Sequence, residues 1–396
     1  MSQVPQLGML MPLEYHTTIV AYLQCREPEV WEWGRKRTNH AEQLEELRAA
    51  LLRETYRIDA DAHPTVHATL SQAMDRLGIS APATLYQASA VDMNAMLVYV
   101  PGEVHIILHG PILERLAEDE LLAVFGHELS HYLLWSRDEG KFLVADRILN
   151  DVQASFAVQA SHLETYRRYV LHTELFADRG SAIAAGSVGP AISALVKVQT
   201  GISKVDPAAY LRQAIEIESS DAKASAAQSH PETFIRARAL ALWWDETPDL
   251  ETWLATRLHG PLAMEQLDLP DQAKLQALTR GFLAYYLTGT SLGSDAVLAQ
   301  IRALFPDWSD SESAVGPEHF VADKVDDSVR GYLNALMMDL ALADPDQQDA
   351  ALQRAGQVAQ ALDSFEALLL NLRRDAGFGK REIDRFKRQL TKEVRA

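Results

Sequence analysis

The sequence predicts a mainly α-helical protein with one small β-sheet (α+β), and three observations carry that expectation. Apolar residues recur at helical spacing along most of the 396 residues. One interval, Ala83 to Leu108, switches to short β-rich runs. Beyond residue 245, Pro248, Gly260-Pro261 and Pro270 separate short helical pieces, and a long helical region follows. A chain of this length is expected to hold two or three domains. The boundaries expected here are an N-terminal helical extension (1–60), a central domain (61–245) and a C-terminal all-helical domain (246–396).

The elements follow in order. Thr84–Gln87, Ala95–Tyr99 and Val104–Leu108 read as three strands. Pro101-Gly102 supplies the fixed and then the positive φ of a type II turn, so the last two strands form a hairpin. The third strand immediately precedes the helix Leu121–Trp135. That order places the strand at the rim of any cleft the helix lines, where it offers backbone groups to an extended peptide. The other reading is a sheet that only buttresses the helix. Leu171–Ala185 is plainly helical, and the uncharged stretch Gly180–Val196 is broken by Gly186, Gly189 and Pro190 into helix, turn and helix. Leu333–Asp344 and the segments after it continue the helical spacing. Asp339, Asp344, Asp346 and Asp349 read as helix-end acids or as a cation cluster. From Arg373 onward basic residues outnumber acidic ones, which fits a solvated helix with Phe386 and Leu390 inward or an interaction tail.

Chemistry concentrates in His127-Glu128-Leu129-Ser130-His131. Two histidines four apart on a helix project from one face, so both imidazoles reach a single ion. The glutamate beside the first can accept a hydrogen bond from a metal-bound water, the zinc-peptidase arrangement. Imidazoles and a carboxylate in so apolar a stretch need a partner. A third protein ligand is required, and two are available. Asp151 stands at one familiar spacing, whereas Glu174, in the helix Leu171–Ala185, has Asp178 four residues on and hence on the same face. One of that pair can bind metal while the other accepts the free N–H of a ligand histidine.

On these residues the chain resembles the HtpX-like and CAAX-prenyl-protease-like zinc endopeptidases, whose signature is His-Glu-x-x-His followed by Glu-x-x-x-Asp. The resemblance runs from about residue 60 to 245. It includes Asn94-Ala95, Pro101-Gly102, Val104–Leu108, Ile112-Leu113, Glu118–Leu121, and Ser229-His230-Pro231-Glu232 with Arg236. It implies a zincin-like metalloprotease domain with one Zn2+ per chain on His127, His131 and Glu174. It further implies Glu128 as general base, Asp178 orienting a ligand histidine, and a protein or peptide substrate. His230 and Arg236 are the candidates for stabilising the oxyanion. His230 is alternatively a fourth ligand that latches the site, or a helix cap, and Arg236 alternatively a partner of Asp178. Two features depart from the family: the short interval between His131 and Glu174, and the lack of a membrane-spanning helix.

No window of eighteen residues is continuously apolar, so no membrane span is expected. The N-terminal residues lack a basic region followed by an apolar core, so no secretory signal is expected. A single cysteine, Cys25, fits a reducing compartment, and a cytoplasmic location is expected. The net charge of −18 opposes binding to nucleic acid or anionic lipid. The remaining histidines are weaker candidates: His105 and His109 flank the cleft strand, His162 and His172 lie on the helices between the ligand segments, and His16, His40, His63, His67, His259 and His319 have no partner pattern. Glu164 reads as a helix-surface acid. Two functions follow. One is a regulated or autoinhibited zinc endopeptidase; the other is a metal-binding chaperone-like or scaffold protein acting through its C-terminal helices. A regulatory partner on those helices is expected in either case.

Overall fold

The computed structural model describes residues 10–36, 41–153, 159–220, 223–227, 229–309 and 311–393. The chain divides into two compact units, Met1–His259 and Gly260–Ala396. The fold is mostly helical with a single four-stranded sheet, the α+β class expected from the periodicity.

The first unit opens with α1 (Glu14–Arg26), α2 (Pro28–Lys36) and α3 (Ala41–Glu54), then β1 (Tyr56–Arg57) and α4 (Pro64–Leu77). Three strands follow: β2 (Ala83–Ala88), β3 (Asn94–Val100) and β4 (Glu103–His109). A short helix α5 (Ile112–Arg115) leads into α6 (Glu118–Ser136), α7 (Lys141–Gln153) and α8 (Ala160–Ala185). The unit closes with α9 (Val188–Thr200), α10 (Pro207–Ser220), α11 (Thr233–Trp244) and α12 (Leu250–Leu258).

Pro101 and Gly102 make the expected hairpin. Val100 pairs with Glu103 across them, and Gly102 takes φ +80°, a region open to glycine at no steric cost. The sheet order is β1-β2-β4-β3, with β2 parallel and β3 antiparallel to β4. The expectation that β4 forms the rim is therefore corrected: β4 is central and its backbone is paired on both sides. The physical reason is burial. Val104 to Leu108 are all buried, as a strand covered on both faces requires, whereas β3 is only partly buried, with Asn94 and Met96 exposed, and forms one edge of the sheet.

Helix α6 packs directly against α8, and glycine makes the contact possible. A Cβ on Gly126 would stand 2.3 Å from Ala184 Cβ and 2.7 Å from the Gly180 carbonyl oxygen. A Cβ on Gly180 would stand 1.6 Å from Ser130 Oγ, which donates to the Gly126 carbonyl at 2.6 Å. Gly126 meets Ala184 while Ser130 meets Gly180, so the helices run antiparallel. The stripe beside this contact carries His127 and His131 on α6 and Glu174 and Asp178 on α8.

The second unit has its own core. It comprises α13 (Leu269–Leu287), α14 (Asp295–Leu304), α15 (Asp327–Ala343), α16 (Gln348–Ala361), α17 (Phe365–Arg374) and α18 (Lys380–Glu393). Phe282, Tyr286, Phe320, Leu333, Met337 and Leu368 lie at its centre, and Phe386 and Leu390 of the basic α18 pack inward. Asp326 caps α15 by accepting from the Ser328 and Val329 N–H groups. Asp344 accepts from the Asp346 N–H just past the end of α15. None of Asp339, Asp344, Asp346 and Asp349 falls in a possible metal-binding group among the described residues.

Gly126→Ala tests the helix contact. The new methyl meets backbone, which cannot rotate away, so a loss of about 1–3 kcal/mol is expected, seen as a fall of several degrees in Tm by calorimetry. An unshifted melting curve would mean the helices have room to spare.

Candidate metal centre

Helix α6 is apolar because it runs between the sheet and α8. Its polar exceptions are consequently held by neighbours. Residues 127 and 131 lie one turn apart on one face, and their rings stand 5.1 Å centroid to centroid. From α8, Glu174 Oε2 lies 3.5 Å from His127 Nε2 and Oε1 lies 3.8 Å from His131 Nε2. One donor atom from each of His127, His131 and Glu174 falls within 4.8 Å of the others. Donors on a tetrahedral zinc with bonds of about 2.0–2.1 Å stand about 3.3 Å apart, so the spacing needs little adjustment. Glu174 Oε2 is buried without a properly formed hydrogen bond, as an oxygen awaiting a cation would be. The residues present fit a zinc ion.

Asp178, one turn past Glu174, supports this set. Its Oδ1 lies 3.2 Å from His127 Nδ1. With the proton on Nδ1, the Nε2 lone pair faces Glu174. Arg236 of α11 clamps the same carboxylate, with Nε at 2.8 Å from Oδ2 and Nη2 at 2.6 Å from Oδ1. Nη2 also lies 3.4 Å from Glu174 Oε2. The buried guanidinium thus answers both carboxylates.

The titrations follow from this packing. Burial opposes charge on His127, but the Asp178 and Glu174 carboxylates outweigh it and push the imidazole up to about 10. His131 lacks such a partner on Nδ1, and burial draws it down to about 4. Burial raises Glu174, yet the neighbouring His127 imidazolium and Arg236 hold it well below the usual carboxylate range; Asp178 is lowered by Arg236 against the same burial. Glu128 is raised by burial. Its Oε2 accepts the Leu97 N–H of β3 at 2.8 Å, a contact that sequence reasoning missed because every residue carries a backbone amide.

Glu128, His127, His131, Glu174, Asp178, His230 and Arg236 all line one cavity of about 450 Å³. Its far wall is α9, with Ala191, Ala194, Leu195 and Val198. The buried pair Lys197–Glu120, at 2.7 Å, ties α9 to the start of α6. His230 reaches in from the loop before α11. Its Nε2 is 3.5 Å from Glu174 Oε2 and its Nδ1 is 2.9 Å from Ser229 Oγ, while most of the ring stays exposed. The N-cap position of α11 belongs to Glu232, whose side chain makes no cap bond.

The other candidates lie elsewhere. Asp151, near the end of α7, is outside the donor set. His172 stacks on Tyr15 at 4.4 Å and gives Nδ1 to the Arg168 carbonyl, on the side of α8 turned from Glu174. His16 is fully buried, accepting the Leu13 N–H on Nδ1 and facing Thr173 Oγ1 with Nε2. His105 lies between Tyr86 and Glu103, and His162 pairs with Glu27. Glu164 is corrected from a surface acid: it bridges Arg167 and Arg168 at 2.7 and 2.8 Å.

A histidine pair and a distant helical carboxylate around one ion, with a glutamate alongside, define the metal-dependent peptidases. Within that class, residues 60–243 match the sequence model of Peptidase family M48, and this segment is a domain of that HtpX- and CAAX-protease-like family. The plastoglobule-localized metallopeptidase 48, chloroplastic, of Arabidopsis thaliana is 29% identical over 197 residues. That match covers 45% of this chain and 56% of the relative, so the chain spans little more than half the length of that protein. No solved structure matches the chain. No helix among the described residues is long and apolar enough to cross a membrane.

Metal uptake must displace the proton that His127 holds up to about pH 10. Zinc affinity is therefore expected to rise with pH towards that value. Calorimetric titration near neutral pH, in buffers of different ionisation heat, should show about one proton released per zinc. No release would contradict the protonated His127.

Proposed function

We propose that this protein is a zinc-dependent endopeptidase. The observation that carries the reading is the convergence of the His127, His131 and Glu174 donor atoms within 4.8 Å, on the wall of the cavity that Glu128 also lines. His127, His131 and Glu174 would hold the ion, with Asp178 fixing the tautomer of His127 and Arg236 fixing Asp178. Bound there, zinc would supply a Lewis acid and bring the pKa of a water to about 7.

Glu128 is the general base. In the free protein Oε2 accepts from Leu97 N–H; a substrate strand pairing at Leu97 would take that hydrogen and release the carboxylate to take the proton from the attacking water and hand it to the leaving nitrogen. His230 serves as the donor to the oxyanion: it reaches the rim of the site but lies outside the three-residue donor set. The substrate adds as a strand to β3, whose outer edge borders the cavity through Asn94, Ala95, Met96 and Leu97. Backbone pairing of this kind gives affinity with little sequence selection. The lone, exposed Cys25 fits work in a reducing compartment such as the cytoplasm.

Glu128→Gln is the decisive variant. With zinc content matched to wild type, casein cleavage is expected to fall about 10²–10⁴-fold. Equal cleavage by the two proteins would remove the enzyme reading and favour a metal-binding scaffold.

His230→Ala should lower kcat by about 10²-fold, the usual cost of one oxyanion donor. A rise in kcat would identify His230 as a latch, and an unchanged kcat would leave it a purely structural role.

A further inference from the structure

The catalytic cavity has two chemically different ends. Val124, His127, His131 and Trp135 of α6 follow one another along it, turn by turn. At the Val124 end the wall is the apolar face of α9. Because α8 runs antiparallel to α6, Val170 and Thr173 come to the Trp135 end, where α7 contributes Asp146. Tyr169 of α8 donates to the Phe142 carbonyl at 3.0 Å, which fixes α7 one turn before Asp146 against this part of α8.

Asp146 is the cavity carboxylate without a counterpart. Glu128 has the Leu97 amide, Glu174 has the histidines and Arg236, and Asp178 has Arg236 and His127. Asp146 forms no hydrogen bond or ion pair among the described residues. Burial pushes it up to about 6, despite the nearby charge of Arg147, so it is still mostly ionised at neutral pH. Asp146 is half-buried and lines the cavity, so a cation entering there would meet a carboxylate that no protein group has claimed. Trp135 lines the same cavity with Nε1–H buried and unpartnered, and Tyr99 meets its ring edge-on at 5.9 Å. A carboxylate and an indole lining one cavity can together receive a cationic side chain.

The sheet sets the direction of the substrate. Leu97 N–H points outward to Glu128, so by strand alternation Ala95, Leu97 and Tyr99 carry the outward backbone groups of β3. Leu97 lies by Glu128 and Tyr99 by Tyr132 and Trp135, so β3 and α6 run in the same sense. A peptide pairing antiparallel to β3, the more stable arrangement, enters at the Trp135 end and leaves at the Val124 end.

We propose that Asp146 and Trp135 form a subsite for a lysine or arginine side chain on the N-terminal side of the cut bond. The proposal rests on the peptidase reading above. It adds a charge preference that backbone pairing alone does not give.

The test uses the zinc-loaded full chain and a peptide series in which Lys, Ala or Glu occupies in turn each of the three positions before the cut bond. At one position Lys should lower KM about tenfold relative to Ala, with Glu the poorest. Asp146→Asn should bring the Lys-to-Ala ratio close to one. A wild-type ratio near one at every position would overturn the proposal, as would a lysine preference that survives Asp146→Asn. The wild-type comparison of Lys with Glu needs no variant, so a poorly folded Asp146→Asn protein does not decide the matter. Binding of the same peptides to zinc-loaded Glu128→Gln protein, followed by fluorescence anisotropy, reads selectivity without turnover. Selective binding of lysine peptides by the variant, together with wild-type protein that cleaves none of them, would sink the peptidase reading and leave the subsite standing.

Discussion

The site depends on one contact, the meeting of α6 and α8 at Gly126 and Gly180. Without side chains there, the ladder of imidazoles on one helix and of carboxylates on the other comes within hydrogen-bonding range. A third helix completes the balance. Arg236 of α11 answers Asp178 and Glu174, and the His127 imidazolium adds a second positive group. Carboxylates buried to this degree are tolerable only when matched in charge and geometry. The packing of three helices and the electrostatics of the centre are therefore one constraint.

The two α6 histidines show how neighbours divide equal residues. His127 has a carboxylate on each ring nitrogen and retains its proton, whereas His131 has Glu174 on Nε2, leaves Nδ1 unpartnered and sheds its proton. The asymmetry arises because Asp178 and Glu174 both stand against the His127 ring, whereas His131 meets only Glu174, and at a longer distance.

Much of this was readable in the sequence, because helical spacing translates directly into a shared face. His127 with His131, and Glu174 with Asp178, are both four-residue pairs, and the structure brings the two faces together. Pro101-Gly102 likewise declared its turn. What stayed hidden depends on tertiary placement. The centrality of β4 was signalled by an apolar run interrupted only at His105, but chain order pointed to the rim instead. Whether Arg236 met an oxyanion or Asp178, 58 residues away, could not be told from spacing. His172 is only two residues from Glu174, yet two residues turn a helix by about 200°, so it joins Tyr15 on the opposite side. Asp146 carried no motif, and its meaning comes from the partner it lacks.

The Leu97 amide has one hydrogen, and the Glu128 carboxylate holds it. Any chain pairing with β3 at that residue would need the same hydrogen. The two are mutually exclusive occupants, so occupation of this stretch of the edge and the unfastening of the glutamate amount to a single event.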